Sequence, residues 1–346
     1  MTQQSADLPQ GLAELPAKNK EPASVTVLNS WLLQAEKRLG GRGGRLAWLV
    51  ASTVVIAALQ RALDTTGEPL FLLKGGTLLQ HRLPSAPKRA TKDVDGLIRG
   101  DIDDFLAKLD DEFAEPWGPL TLRRDAVEVI QAPARVVKPR RFDVVVELRG
   151  KTWRRIQVEI APDEGSAGAE PEPFTPPTLA GLGLPDPTAM VGIAMRYQVA
   201  QKIHACTDPH DPPTAVNDRA RDVVDLLLLR DLAEIGQDPA VVRAAVVDIF
   251  VARARDAQAL SRAVRTWPCV VVAHPHWPTD YARAAADAQM DLTLDEAVAE
   301  LNAWLAQIDA AVSPANGSDG DDSDDDDEDD EDDECGDGEL KGEHAQ

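Results

Sequence analysis

The chain has 346 residues, 43% apolar and 27% charged, with a formal net charge of −23. Seventeen acids and one lysine fall between Asp319 and Gln346, which leaves a net of −7 to the other 318 residues, so the acidity describes a tail and not the fold. Length and apolar content allow about two domains with a sizeable core, while three scattered cysteines (Cys206, Cys269, Cys335) exclude a disulfide scaffold or zinc ribbon and fit a reducing cytoplasm.

Residues 1–23 are polar, with no basic segment leading into an apolar one, and read as a disordered lead-in of a protein that is not secreted. Val25 to Leu39 has apolar residues at helical spacing and a glycine stop at Gly40–Gly41; Arg45 to Leu63 predicts a second, buried helix. Its apolar run, Leu46 to Leu59, is about 14 residues long, too short for a membrane span. Pro69 to Leu73 then predicts a strand, Thr77 to Arg82 a helix, Asp93 to Ile98 a strand and Ile102 to Phe113 an acidic amphipathic helix. Val127–Ile130, Arg141–Leu148 and Trp153–Ile160 predict three further strands, with Gly150 at a hairpin turn. Pro162 to Pro187 is rich in proline and glycine and reads as a loop. Beyond it Ala189–Cys206, Asp218–Ile235, Ala240–Val264 and Leu294–Val312 predict helices, and Cys269–Ala273 the only further strand. The expected organisation is an α/β core with N-terminal helices over 24–161, a loop over 162–187, a helical domain over 188–313 and a disordered acidic tail over 314–346.

The chemistry concentrates in Lys74–Gly75–Gly76–Thr77 and Thr91–Lys92–Asp93–Val94–Asp95. A glycine turn from a strand into a helix lets backbone N–H groups approach a phosphate closely, where the helix N-terminus adds positive potential. Asp93 and Asp95 are at i and i+2 of a strand, so both carboxylates project to one side. Paired carboxylates suit Mg²⁺, which completes its shell with phosphates and water. Either motif alone is weak, since most such turns merely reverse the chain and most such acids line a solvated face. Together, on consecutive strands, they are what nucleotidyl transfer requires.

The stretch containing these motifs resembles the opening of the AbiEii/AbiGii (MenT-type) nucleotidyltransferase toxins, members of the DNA polymerase β-like nucleotidyltransferase superfamily. Lys74, Gly75, Gly76 and Thr77, then Arg89, Thr91, Asp93 and Asp95, match the family's Lys-Gly-Gly-Ser/Thr and Arg-x-Ser/Thr-x-Asp-hydrophobic-Asp patterns. Two later stretches match in order: Ala200–Ala205 (AQKIHA, with Gln201 where the family has Glu) and Arg219–Leu226 (RARDVVDL). The resemblance spans residues 45–235 and implies a polymerase β-like mixed sheet followed by a helical domain. It implies that Asp93 and Asp95 hold Mg²⁺ or Mn²⁺, with Glu159 as the third carboxylate and Asp143 as its competitor. Lys74, Gly75, Gly76 and Thr77 would bind the nucleotide, Lys202 would contact the triphosphate, and Asp222 would orient Lys202 or a nearby arginine. In some members phosphorylation at the position of Thr91 silences the enzyme, which makes Thr91 a regulatory candidate.

By the same resemblance the reaction is transfer of NMP from an NTP to the 3′ end of tRNA, which blocks translation, by a cytoplasmic toxin whose antitoxin is encoded alongside; no membrane is involved. The alternatives are a nucleotidyltransferase acting on protein or a small molecule, and a catalytically weak nucleotide- or RNA-binding module, which Glu159 and Gln201 would favour. His274 and His276 read as a loop pair and His204 as a packing residue. Arg140, Arg141, Arg154, Arg155, Arg219 and Arg221, with Arg89, offer a basic groove for RNA. The acid run from Asp324 to Glu334 reads as a solubilising tail, or as a nucleic-acid mimic that competes for that groove.

Overall fold

The computed structural model describes residues 8–39, 44–82, 91–213, 215–232, 235 and 238–311. Arg89, the Gly40–Gly41 stop and the acidic tail lie outside the described residues. Helices α1 (Leu8–Ala13), α2 (Val25–Arg38) and α3 (Arg45–Leu59) precede strand β1 (Phe71–Lys74). Ser24 caps α2 by accepting the Val27 N–H. Twelve residues of α3 are buried, as its unbroken apolar run dictates. Helix α4 (Gly75–Arg82) starts directly at the end of β1, and β2 (Asp93–Ile98) and α5 (Ile102–Glu112) fall where alternation and amphipathicity place them.

Strands β3 (Leu120–Arg124), β4 (Glu128–Val129), β5 (Arg140–Leu148), β6 (Lys151–Pro162), β7 (Pro171–Phe174) and β8 (Met190–Ile193) complete one mixed sheet in the order β3-β5-β6-β2-β1-β8-β7, with β4 beside β5. β5 and β6 form a hairpin whose turn places Arg149 and Gly150 at φ 52° and 74°, as a two-residue loop between twisted strands demands. β2 runs parallel to β6 and antiparallel to β1, which makes the sheet mixed. Along β2, β5 and β6 alternate residues such as Val94, Val144, Val158 and Ile160 are fully buried. The residues between them present the opposite, polar face. Helices α6 (Met195–Cys206), α7 (Ala220–Arg230), α8 (Pro239–Ala259), α9 (Trp277–Ala288) and α10 (Leu294–Ala310) follow the sheet, as a helical C-terminal half requires. No helix among the described residues is long and apolar enough to cross a membrane.

Four expectations need correction. The lead-in is packed over its described part: Leu12 is 1% exposed, Gly11 lies against Leu39, and Lys18 N–H donates to the Ala180 carbonyl at 3.0 Å. Its few apolar residues are enough because they enter a cluster that larger elements have already built. The stretch 162–187 is not all loop. It supplies β7, where Pro171 and Pro173 are tolerated because the strand is at the sheet edge. The helix expected from Ala189 begins at Met195, since Met190–Ile193 pair with β1 and β7 as β8. Cys269–Ala273 joins no sheet; the side chain of Asn302 takes both the N–H and the carbonyl of Val271, at 2.8 and 2.9 Å, in place of a neighbouring strand.

Replacing Leu12 by Ala should therefore cost about 3 kcal/mol of stability with an unchanged denaturant slope. A urea titration checks this, and an unshifted midpoint would restore the disordered lead-in.

Candidate active site

Strand register assembles the site. Lys74, Asp95, Glu159 and Arg141 are lateral partners on four successive strands, β1, β2, β6 and β5, so their side chains share one face in a single row. Asp93, Gln157 and Asp143 form the next row on that face. Glu159 is thus one strand spacing from Asp95, whereas Asp143 is two spacings, roughly 10 Å, from Asp93 with Gln157 between them. Of the two candidates for a third carboxylate, the register favours Glu159. It is not idle, however: Arg141 donates to Glu159 Oε1 through Nε at 2.8 Å and Nη2 at 2.6 Å, and Gln157 reaches the same oxygen at 3.2 Å. Among the described residues no three His, Cys, Asp or Glu side chains converge as a metal cage. The geometry therefore offers a metal two carboxylates, Asp93 and Asp95. That set fits an ion completing its shell with phosphate oxygens and water.

Gly75 makes the row possible. It has φ +69°, and a Cβ there would overlap the Asp95 carboxylate. Its N–H donates to Oε1 of Gln198 at 3.0 Å; Gln198, on α6, is 2% exposed and pins the turn to the helical half. Thr77 is fully buried and its hydroxyl donates to the Asp93 carbonyl at 2.8 Å, clamping α4 to β2. Thr77 thus leaves only its N–H for a phosphate. The hydroxyl of Thr91 is buried with no hydrogen-bond partner among the described residues.

Lys202 and Asp222 meet as expected, with an addition that the motif did not single out. Lys202 Nζ is 2.5 Å from Asp222 Oδ1 and 2.7 Å from Asp225 Oδ2, all three side chains being buried. One ammonium between two carboxylates leaves a net negative trio. A cleft of ≈ 670 Å³ joins this trio to the sheet row, and its lining includes Lys74, Gly75, Gly76, Asp95, Glu159, Lys202 and Asp222. Of the basic residues expected to form a groove, only Arg219 lines it. Arginines that sequence reasoning missed, Arg135, Arg253, Arg262 and Arg265, line it instead. They stand on the 130–139 connection, on α8 and beyond α8, and no local spacing links them.

Electrostatics mark the sheet row as strained. Burial and then the neighbouring Asp93 carboxylate push Asp95 up to about 6, although Lys74 opposes them. Burial pulls Lys74 down to about 8 despite Asp95 beside it. A carboxyl raised in the folded state favours folding while protonated and weakens it as pH rises from about 4 to 6. In chelator, Asp95→Asn should therefore gain stability relative to wild type between pH 4.5 and 6.5, by about 1–3 kcal/mol. Parallel urea titrations at the two pH values measure this; a difference that does not change with pH would show that Asp95 is not held in that environment.

Residues 57–323 match the family described as nucleotidyl transferase AbiEii toxin, type IV toxin–antitoxin system. Among solved structures the chain is similar to MenT4, a nucleotidyltransferase toxin from Mycobacterium tuberculosis H37Rv, at 18% identity and a TM-score of 0.42, over 82% of this chain and 99% of that one. No curated protein matches the sequence. With more than two thirds of its length inside the family match, the chain belongs to the AbiEii nucleotidyltransferase toxins of type IV toxin–antitoxin systems.

Proposed function

We propose that the protein transfers NMP from an NTP to the 3′ end of tRNA in a Mg²⁺-dependent reaction, releasing pyrophosphate and arresting translation until an antitoxin opposes it. The observation that carries this reading is the cleft whose lining brings Asp95, from the paired-aspartate strand, together with Lys202 and Asp222. Asp93 and Asp95 would hold the ion, and Mn²⁺ would fit the same oxygens. When bound, the ion would supply positive charge that offsets the charge growing on the leaving pyrophosphate.

The chain's own residues do the positioning. The first N–H groups of α4, at Gly76 and Thr77, have no partner within the helix and offer donors to a phosphate. Gln198 takes the Gly75 N–H, so the turn is braced from α6 before a nucleotide arrives. Asp222 and Asp225 hold Lys202 in one orientation as a point charge within the cleft. Arg141 holds Glu159 through Oε1, which fixes the side chain and leaves Oε2 as the oxygen it would offer to a metal.

Incubating the protein with each α-labelled NTP, Mg²⁺ and total tRNA should label the tRNA band with one preferred nucleotide. Asp93→Ala should abolish the label, since even outer-shell partners of a metal are each worth about 10–100-fold. Label in protein instead of RNA would replace the acceptor and keep the chemistry. No label anywhere from folded wild type would leave a binding module.

A further inference from the structure

Three guanidiniums converge in the cleft on residues outside the glycine-turn and aspartate motifs. Arg253 Nη1 is 2.8 Å from Nδ1 of His204, and Arg265 Nη2 is 2.5 and 2.9 Å from its two ring nitrogens. Arg253 also grips Glu164 with Nε at 3.0 Å and Nη2 at 3.1 Å, and Arg135 pairs with the same carboxylate. Burial and the three surrounding arginines drive the His204 value far down, so its ring is neutral and adds no charge. Burial lowers Arg135 and Arg253 to about 10, with Arg253 adding to the effect at Arg135.

The charge balance is uneven. Glu164, 6% exposed, is shared by Arg135 and Arg253, whereas Arg265 pairs with the more exposed Asp208 (44%) and Asp256 (28%) lies 3.8 Å from Arg135. Lys74 is close enough that Arg135 and Arg253 both depress it. A smaller recess of ≈ 200 Å³ places Arg135 and Glu164 along one wall with Lys74, Asp95 and Glu159. Packing like charges together under cover costs folding energy, and such clusters gather where a ligand of opposite charge binds. Lys202 cannot supply that complement, because two carboxylates already hold it. Guanidinium forks match phosphoryl oxygens in geometry as well as in sign.

We propose that Arg135, Arg253 and Arg265 form a phosphate subsite of the cleft, with His204 and Glu164 as the positioning residues that aim them. This rests on the nucleotidyltransferase reading and adds to it where substrate phosphate is held. Two substrates carry that group: the triphosphate of the nucleotide and the backbone of the acceptor RNA.

The test is binding, without turnover. Inorganic triphosphate and total tRNA are titrated separately against wild type, Arg265→Gln, Arg265→Lys and Arg135→Gln, with melting temperatures recorded alongside. Losing one charged contact should weaken binding roughly tenfold or more, and Arg265→Lys should recover part of it. A loss confined to triphosphate places the nucleotide there. A loss confined to tRNA, with the slope of log affinity against log salt shallower by about 1, places the acceptor there. If both glutamine variants melt like wild type and bind both probes equally well, the arginines are a structural network and the subsite is overturned, while the transferase reading survives. If wild type itself binds neither probe, both fall.

Discussion

The contact between Gly75 and the carboxylate of Asp95 is the constraint on which the site turns. β1 can run straight into α4 only because residue 75 adopts a left-handed conformation, and Asp95 can project into the cleft only because residue 75 has no Cβ. The Gly75 N–H to Gln198 bond then ties that turn to α6, on which Lys202 also stands. One small residue thereby couples the sheet that carries the acids to the helices that carry the lysine and its two carboxylates. A side chain at 75 would displace Asp95, the turn or α6, and each of these belongs to the same cleft.

Around that constraint the charges form compensated sets. The sheet row reads Lys74, Asp95, Glu159, Arg141, a pair of acids flanked by bases. The helical wall reads Lys202 between Asp222 and Asp225. The set around His204 gathers three part-buried arginines on one buried carboxylate, Glu164, and two more exposed ones, Asp208 and Asp256. Compensation lets so many ionisable groups share a partly covered space without unfolding it, because an unpaired buried charge costs several kcal/mol. The residual imbalances, negative at Asp93–Asp95 and positive at the arginines, are the places where a cation and an anion would complete the balance.

The legible parts of this structure were those with short sequence range. Asp93 and Asp95 announce their shared face through period-2 alternation, and the strand Asp93–Ile98 falls where its pattern places it. The buried helix α3 follows from an unbroken apolar run, and the Arg149–Gly150 turn from a glycine between two alternating segments. Strand β7 was hidden because proline argues against a strand except at an edge, and edge position is a property of the assembled sheet. Strand β8 was hidden because only Ala194, a strong helix former and no breaker, separates Met190–Ile193 from the helix. Helix α9 was missed because Trp277–Ala288 is mostly small and polar residues, with Trp277, Tyr281 and Ala285 alone buried. The arginines were invisible for a stronger reason. Arg135, Arg253 and Arg265 are spread over more than a hundred residues, and only folding brings them to His204.

Gln201 shows how such long-range placement changes the meaning of a motif. In the sequence it departs from the family's glutamate and argues for weakened chemistry. In the fold its Nε2 donates to Glu164 at 3.1 Å, the same carboxylate that Arg253 and Arg135 hold. A glutamate at 201 would set a second carboxylate against Glu164 under cover, where like charges repel strongly and one of them would have to take up a proton. The amide instead supplies a donor, and Glu164, from a different segment, supplies the negative charge. Gln201 and Glu164 thus belong to one network, in which the amide donates and the carboxylate carries the charge. Glu159 differs in kind: Arg141 holds its Oε1, so whatever it contributes to a metal would come through Oε2.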